Sequence, residues 1–368
     1  MALKNSFFLL LCLLNPFNQL EATIILPELM AKQSIDNIRF LSKEGKFTYY
    51  QKRSGSLLFS TNYKVQEILK GEIGTQYTLF STVSRKKILI LQNQNFHNFY
   101  SLRSKEKIYL SNYGEPNPIE VGFGIAPNLL LDDAWLSYYD PYLKMLNFEH
   151  TTNAALKFSI KLNNKINPYF TPKVVMSDDN TIYYTDLNEN GVVGLLEFKR
   201  NSGKSEVVYK STSFMEKLEI CLSKDHLILG QFGIHNGNFG SLIASSSLPL
   251  KDISKKVILY KSDLNDLGHL TCDDDATSIY FIKNNGSSST PSFDIMELNP
   301  NTKTLSPLTD FKTATTIINM DGTLLTQNKG KYYILKGNAD FKNIDSLKQR
   351  ATQEKTNEKE LAKELDDE

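Results

Sequence analysis

The chain has 368 residues, of which 42 are basic and 41 acidic, so its formal net charge is +1. This balance excludes a strong overall field that would draw the protein to nucleic acid or to acidic lipid. With 40% hydrophobic residues the chain can bury a large core, and its length alone would suggest two domains.

The first 22 residues have the pattern of a secretory signal peptide. Lys4 supplies a positive start, Phe7 to Leu14 form an apolar run, and Leu20 to Ala22 offer a cleavage site. The run is too short to cross a bilayer as a helix, which takes about 20 residues. We therefore expect a periplasmic or secreted mature chain that begins near Thr23 and has no membrane span.

One unit of sequence organises the rest of the chain. Residues 168–198 contain three stretches rich in β-branched and aromatic residues, Tyr169 to Met176, Thr181 to Thr185 and Val192 to Phe198, separated by turns of Asp, Asn and Gly. The first polar turn recurs seven times at intervals of 41 to 50 residues: Ser42–Gly45, Val83–Lys86, Leu131–Ala134, Ser177–Asn180, Ser223–His226, Asp273–Ala276 and Asn319–Gly322.

A repeat of this length with several short strands is typical of a β-propeller blade, which has four strands. The sequence therefore predicts an all-β protein, with one seven-bladed β-propeller over residues 23–338. Six blades remain an alternative, because the second turn, Val83–Lys86, lacks the acidic residue of the others.

The two ends of the predicted propeller differ by one strand. The first unit offers four strands, 38–41, 47–52, 57–61 and 65–69, and the last unit offers only three, 315–318, 323–327 and 332–335. Propellers avoid open sheet edges by completing one blade with strands from both termini. We expect Thr23 to Leu26 to supply the missing strand.

The last 30 residues, 339–368, are rich in Glu, Lys and Asp and contain few apolar residues. Such a segment cannot bury enough surface to fold alone. It is predicted to be either disordered or a solvated helix from Ile344 to Leu365, with Asp345 near the start as a cap. A docking segment for another protein is the alternative function.

A calcium-loop spacing occurs in the central unit, at Asp186, Asn188, Asn190, Gly191 and Glu197. The flanking residues are strand-like rather than helical, however, and Asn-Gly is the usual pair for a hairpin turn. We therefore favour a structural turn and leave the metal site open. No cofactor motif and no catalytic set is apparent in the sequence.

After removal of the signal peptide two cysteines remain, Cys221 and Cys272, at near-equivalent positions of consecutive units. A disulfide is conceivable in an oxidising compartment. Equivalent atoms of adjacent blades are generally farther apart than the limit of about 7 Å between Cα atoms, so the interpretation favoured from the sequence is a pair of buried free thiols.

The other candidate groups have simpler explanations. Five histidines (His97, His150, His226, His235 and His269) lack metal-ligand spacing. The acidic groups Asp132-Asp133, Asp178-Asp179 and Asp273 to Asp275 all occupy the repeated turn, where hairpin chemistry explains them. The glycine-rich stretch from Gly230 to Gly240 is predicted to be a long loop that carries binding function.

The repeat resembles that of TolB-like β-propellers, on the residues of the central unit (PYFTPKVVMSDDNTIYYTD), the turn Asn319–Gly322 and the run SIYFIKNNG. The resemblance covers most of residues 37–336, without the α/β domain that precedes the TolB propeller. It implies a periplasmic or secreted scaffold that binds other proteins through the propeller face or channel.

Two functions follow as expectations. The first is an exported, non-enzymatic interaction module of the bacterial cell envelope, monomeric, with other envelope or secreted proteins as partners. The second is a propeller-type hydrolase or lyase acting on a saccharide or peptide, which would need titratable side chains from several blades at the channel mouth. A channel lined by Ser, Asn and aliphatic residues would favour the first.

Overall fold

A computed structural model describes residues 38–336 with gaps at 42–46, 53, 62–63, 74, 82–85, 95–105, 164–169, 236–237, 251–254, 273–276, 288, 291, 309–316, 321–322 and 329–330. All regular elements in these residues are β-strands, which confirms the all-β prediction. The described part contains no helix that could span a membrane. The predicted signal peptide, the closing strand Thr23 to Leu26 and the tail 339–368 lie outside the described residues.

The described residues divide into two compact units, one within residues 1–73 and the other within residues 74–343. The described part of the first unit is one antiparallel sheet in sequential order, β1 (Ile38–Leu41), β2 (Phe47–Gln51), β3 (Leu57–Thr61) and β4 (Val65–Leu69). The ring of Phe59 contacts Tyr49 at 5.1 Å and Phe47 at 5.6 Å between centroids. The alternation of aromatic residues along β2 places these rings on one face of the sheet.

The second unit begins with a seven-stranded sheet, whose strands are β5 (Thr75–Ser81), β6 (Lys87–Gln94), β7 (Glu106–Asn112), β8 (Ile119–Leu130), β9 (Trp135–Asp140), β10 (Met145–His150) and β11 (Asn153–Lys161). Two four-stranded sheets follow, β12 (Val174–Met176), β13 (Thr181–Leu187), β14 (Val193–Lys199) and β15 (Lys204–Lys210), then β16 (Lys217–Ser223), β17 (His226–His235), β18 (Asn238–Ser247) and β19 (Val257–Ser262).

The last two sheets have four and three strands. They are β20 (Gly268–Cys272), β21 (Ile279–Asn284), β22 (Phe293–Leu298) and β23 (Leu305–Pro307), and then β24 (Ile318–Met320), β25 (Thr323–Asn328) and β26 (Lys331–Lys336). The final sheet therefore has the three strands that the sequence predicts.

The long strand β8 belongs to two repeat units at once. Its first half pairs with β7 and its second half with β9, and the register shifts between Ile125 and Asn128. Ala126 lies at a φ of +49° and is followed by Pro127, which cannot donate a ladder hydrogen bond. The seven-stranded sheet is therefore two four-stranded units that share β8.

In the sequence, each of the seven predicted polar turns falls between two strands that pair antiparallel, β1-β2, β5-β6, β8-β9, β12-β13, β16-β17, β20-β21 and β24-β25. Residues 42–45, 83–85, 273–276 and 321–322 of these turns lie outside the described residues. In residues 74–343, β24 also lies beside β5, with Cα atoms within 8 Å. This neighbour relation is the one expected if the six units of residues 74–343 follow one another around a ring. It keeps the six-bladed alternative open, and the blade number stays a prediction.

The second strand of a unit is buried on both faces, whereas the fourth is exposed. All residues of Trp135–Asp140 and of Thr181–Leu187 are buried, but β15 is mostly exposed. Because neighbouring sheets cover both faces of the second strands, these strands read as continuous apolar and aromatic runs rather than as alternating ones. Between two sheets the ring of Phe158 on β11 stacks on that of Phe198 on β14, with 6.0 Å between their centroids.

Two predictions about the fifth unit are wrong. The stretch from Gly230 to Gly240 is part of the β17-β18 hairpin, not a long loop, because its glycines allow close strand contact. Gly233 has a φ of +114°, and a Cβ there would lie 2.3 Å from the Met215 carbonyl oxygen.

The cysteines Cys221 and Cys272 form a disulfide with a Cα–Cα distance of 5.8 Å. The first strands of consecutive units converge around the cavity described below, so equivalent residues approach within bonding range.

Candidate functional site

The first strands of four consecutive units, β8, β12, β16 and β20, line a cavity of about 740 Å³. Most of its lining residues are aliphatic or small and uncharged. Those from the strands and their approaches include Pro127, Leu129, Val174, Met176, Ile220, Leu222 and Leu270. Charged side chains lie at its two ends: Asp132, Asp133 and Lys224 at one, Lys173 and Glu219 toward the other.

The strands β16 and β20 run in the same direction along this cavity. Lys217, the first residue of β16, donates from Nζ to the carbonyl of Leu267 just before β20 at 3.3 Å. Farther along, Cys221 is bonded to Cys272 at the end of β20. We call the end where the first strands start the hairpin end, because the hairpins between second and third strands also lie there. The opposite end, which carries the repeated polar turns, is the turn end.

At the turn end, carboxylates join consecutive units. Lys86 in the turn after β5 forms an ion pair with Asp132 in the turn after β8. Trp135 at the start of β9 donates from Nε1 to Asp179 Oδ1 at 2.8 Å, in the turn after β12. These contacts span 46 and 44 residues, about one repeat. The acidic residues of these turns therefore link neighbouring repeat units.

Other turn carboxylates organise the backbone locally. The amides of Asn180 and Thr181 both donate to Asp178 Oδ1 at 2.8 Å. Burial raises the pKa of Asp178, but these hydrogen bonds outweigh it and leave the pKa below its usual value. Buried Asp133, by contrast, accepts from the amide of Lys87, 46 residues away in the preceding repeat unit, at 3.3 Å. Of these carboxylates Asp178 has the predicted role within its own hairpin, whereas Asp132, Asp133 and Asp179 contact neighbouring repeat units. Asp273 to Asp275 lie outside the described residues.

The hairpin end carries a charged cluster built from two units. Glu219 on β16 has 2% of its side chain exposed, and its carboxylate lies between two lysines. Lys173 Nζ is 2.9 Å from Oε2, and Lys217 Nζ is 2.6 Å from Oε1. The contact between Lys217 Nζ and Glu219 Oε1 is an ion pair that lacks the geometry of a hydrogen bond, so no donor points at Oε1. The two lysines outweigh the one carboxylate, which gives the cluster a local excess of positive charge.

His269 joins the cluster from a third unit, at an irregularity in β20. It has a φ of +55°, follows Gly268 at +78°, and lies where the pairing of β20 with β21 shifts register. Partial burial lowers the pKa of His269, and Lys217 and Lys173 lower it further, whereas Glu219 raises it. Because the pKa is lowered from an ordinary value that is already below 7, the ring is neutral at pH 7.

An exposed apolar group lies on the same end. Phe214 and Met215, in the loop before β16, are 75% and 51% exposed, and Phe239 on β18 is 60% exposed. The strands β17 and β18 each have ten residues, so their hairpin reaches beyond the start of β16. Gly233 in this extension contacts the backbone of Met215. We call Phe214, Met215 and Phe239 the apolar group of the hairpin end.

The calcium-loop residues are not brought together. Asn188 Oδ1 accepts from the amides of Asn190 and Val192 and so closes the β13-β14 turn, with Gly191 at a φ of +75°. Asp186 pairs in register with Gly194, whereas Glu197 pairs with Tyr183 three residues away along the ladder. Alternation along the strand puts these two carboxylates on opposite faces. In the described part of the chain, no group of three or more His, Cys, Asp or Glu residues is placed to hold a metal ion.

The sequence analysis missed a polar network between the sheet of β12 to β15 and the sheet of β16 to β19. Buried Glu216 accepts from Tyr209 at 3.1 Å and from Gln231 at 2.7 Å, and also from Ser211. Lys256 Nζ donates to Gln231 at 2.7 Å. In the next unit Tyr260 donates to buried Asp266 at 3.0 Å. The signal was present as Tyr-Lys-Ser at 209–211 and again at 260–262, the same 51-residue interval that separates the bonded cysteines.

The remaining histidines take part in local contacts. His150 Nδ1 accepts from the amide of Thr152 at 3.3 Å, and its ring lies edge-on to Trp135 at 5.1 Å. His226 is exposed at the turn end and lies 3.3 Å from the Ser247 hydroxyl. His97 and the side chain of His235 lie outside the described part. Of the described imidazoles, only His269 adjoins the charged cluster.

No family model and no curated protein matches the chain. Among solved structures, the chain is similar to a prolyl endopeptidase with a TM-score of 0.52 and 9% identity, over 84% of this chain and 51% of that one. It therefore spans about half the length of that enzyme. It is also similar to the β-propeller domain of the Trilobed protease from Pyrococcus furiosus, with a TM-score of 0.50 and 9% identity, over 72% and 83% of the two chains.

These similarities show the fold alone, and the fold is that of a β-propeller. TolB from Acinetobacter baumannii is also similar, with a TM-score of 0.42 and 11% identity over 73% of this chain and 62% of that one. That score is too low to carry an argument about a TolB-like role.

Proposed function

We propose that the protein is an exported, non-enzymatic β-propeller module that binds another protein at its hairpin end. The observation that carries this proposal is the combination, in residues 74–343, of a largely aliphatic cavity with exposed aromatic and thioether side chains at the hairpin end. Aromatic residues and Met are enriched in protein interfaces, where they supply most of the binding energy.

The cavity supports binding rather than catalysis. Its walls are chiefly Leu, Val, Ile, Pro and Ala, and the acidic residues at its turn end are already engaged with neighbouring units. An active site would need several titratable groups free to reach one substrate atom. Glu219, the buried carboxylate at the hairpin end, is held between two lysines.

Two features support an exported protein. The first 22 residues have the pattern of a secretory signal. The disulfide between Cys221 and Cys272 is of the kind that persists in oxidising compartments such as the periplasm or the extracellular space. The TolB-like resemblance of the repeat agrees with this location, and a scaffold role in the bacterial cell envelope is part of the proposal.

The alternative is a propeller-type hydrolase or lyase that acts on a saccharide or peptide. The observation in its favour is the cluster of Lys173, Lys217, Glu219 and His269, which brings titratable groups from three units to the hairpin end. A neutral imidazole with a lowered pKa can act as a general base.

Affinity capture with matched surface variants tests the proposal. The exported protein is used to capture partners from an envelope extract of its own cells, beside the variant F214S/M215S/F239S. A control variant, L156S/V207S/V257S, changes three exposed apolar residues, one on the outer strand of each of three repeat units. Thermal unfolding of all three forms shows that the substitutions leave the fold intact.

We expect one partner to be retained by the parent and the control and lost, by at least about ten-fold, from the hairpin-end variant. Retention by all three forms would place the interface elsewhere. Failure of every form to retain a protein, together with turnover of a peptide or polysaccharide by the parent, would establish the enzymatic alternative.

A further inference from the structure

The charged cluster at the hairpin end has the composition of a binding site for an anion. Glu219 is nearly fully buried, yet Lys173 and Lys217 keep 41% and 48% of their side chains exposed. Each ammonium group has three donors. Lys173 directs one to Glu219, and Lys217 directs one to the Leu267 carbonyl, so donors on both remain available to a ligand.

The charges of the cluster select the charge of the ligand. Two lysines and one carboxylate sum to +1, and a bound group with a single negative charge would bring the site to neutrality. A dianion would leave a net negative charge beside Glu219, whose Oε1 has no directed donor. Uncompensated charge in a partly buried site is costly. The cluster therefore fits a carboxylate better than a phosphate dianion.

The cavity beside the cluster selects the rest of the ligand. Lys173 and Glu219 both line it, and the wall beyond them consists mainly of aliphatic residues such as Val174, Ile220 and Leu270. Its volume of about 740 Å³ lies within the usual range for ligand pockets, about 300 to 1,000 Å³. A ligand whose carboxylate contacts the lysines could place an apolar stem along these walls.

We propose that Lys173, Lys217 and His269, arranged around Glu219, form a binding site for a carboxylate on an apolar stem, supplied by the C-terminal end of a peptide or by a free aliphatic acid. If the source is a peptide, the site deepens the proposed function, because the partner protein would provide the chain end. His269 borders the lysines as a neutral imidazole and adds no charge to the site.

Calorimetric titration of the purified full-length protein tests the proposal without a partner protein. Four probes are compared at pH 7 and low salt: the peptide acetyl-Ala-Leu-Val with a free C-terminal carboxylate, the same peptide as the C-terminal amide, hexanoate, and inorganic phosphate. The two peptides have the same side chains and differ at the terminus, so their difference reports the carboxylate alone.

We expect the peptide acid to bind at least about ten-fold more tightly than the amide, which corresponds to about 1.4 kcal/mol, and phosphate to compete poorly. Hexanoate binding as tightly as the peptide acid supports the site and identifies a free acid as the source. Equal binding of acid and amide, no binding of either at millimolar concentration, or phosphate binding as tight as the acid would each overturn the proposal.

Variants locate the site. The substitutions K173M and K217M keep the aliphatic stem and remove the ammonium group, and each is expected to weaken binding of the peptide acid about ten-fold. K199M is the matched control, because Lys199 also pairs with a glutamate, but with Glu197 and not with the Glu219 that the two test lysines share. Should K173M fail to fold, the comparison of acid and amide on the parent still decides the question.

This test fails independently of the proposed function. A partner that is lost with the F214S/M215S/F239S variant would support the interaction module even if no carboxylate binds. Conversely, binding of the peptide acid without any captured partner would support the site alone.

Discussion

Removal of the disulfide tests how far the convergence of the first strands stabilises the fold. Cys221 and Cys272 are 51 residues apart in sequence and join β16 to β20 at the cavity wall. A cross-link restricts the unfolded chain, by about 3 kcal/mol for a 15-residue loop and about 4.7 kcal/mol for a 100-residue loop. The 51-residue loop therefore corresponds to about 4 kcal/mol.

The double variant C221A/C272A should lose about this amount of unfolding free energy. The measurement is urea unfolding followed by circular dichroism, with the parent protein in the presence and absence of a reducing agent as the comparison. Reduction of the parent should reproduce most of the loss without any change of side chain, and the variant should not respond to the reducing agent.

Two results would refute this reasoning. The first is an unfolding midpoint of the parent that reduction does not change. The second is alkylation of both thiols in the folded, unreduced parent, detected by mass spectrometry. Either result would mean that the cysteines are free, as the sequence analysis favoured, and that the two strands do not hold them within bonding distance.

Three further outcomes are expected from urea unfolding. G203A should lower the free energy of unfolding by about 1 kcal/mol. G233A should lower it several times more, because both glycines have positive φ but only Gly233 faces a backbone carbonyl. W135F should cost more than about 1 kcal/mol, since it removes the hydrogen bond to Asp179 and also deletes part of a fully buried indole ring. Burial raises the pKa of Glu219, but its two lysine partners lower it more, so the pKa in the folded protein is below its ordinary value. The parent should therefore be more stable than E219Q at neutral pH. This difference should be lost as the pH falls below the unfolded pKa of about 4.5 and through the lower pKa of the folded state.

The repeat could be predicted from the sequence because its signals are local. A turn such as Ser177–Asn180 is stabilised by its own side chains, as Asp178 shows, so the same residue types recur wherever two strands of a unit must reverse. Strands between such turns follow with little freedom, and the four predicted strands of the first unit match β1 to β4 to within one residue.

Features that depend on distances between units could not be predicted in this way. Pro127 reads as the end of a strand, yet β8 continues past it because each half pairs with a different sheet. The spacing of Cys221 and Cys272 fixes the number of residues between them but not how closely their strands approach. The charged cluster draws Lys173, Glu219 and His269 from three units, and no sequence motif joins them.

The hairpin end and the turn end of residues 74–343 differ in what their polar groups already contact. This difference decides where a ligand can bind. At the turn end, Asp132 and Asp179 are occupied by Lys86 and Trp135 of neighbouring units, so a ligand there would have to displace contacts between sheets. At the hairpin end, Lys173 and Lys217 pair with one shared carboxylate and keep exposed donors. A ligand there would gain charge-assisted hydrogen bonds without breaking the links between sheets. In this repeat the turns therefore join neighbouring units, whereas the hairpins can differ from unit to unit.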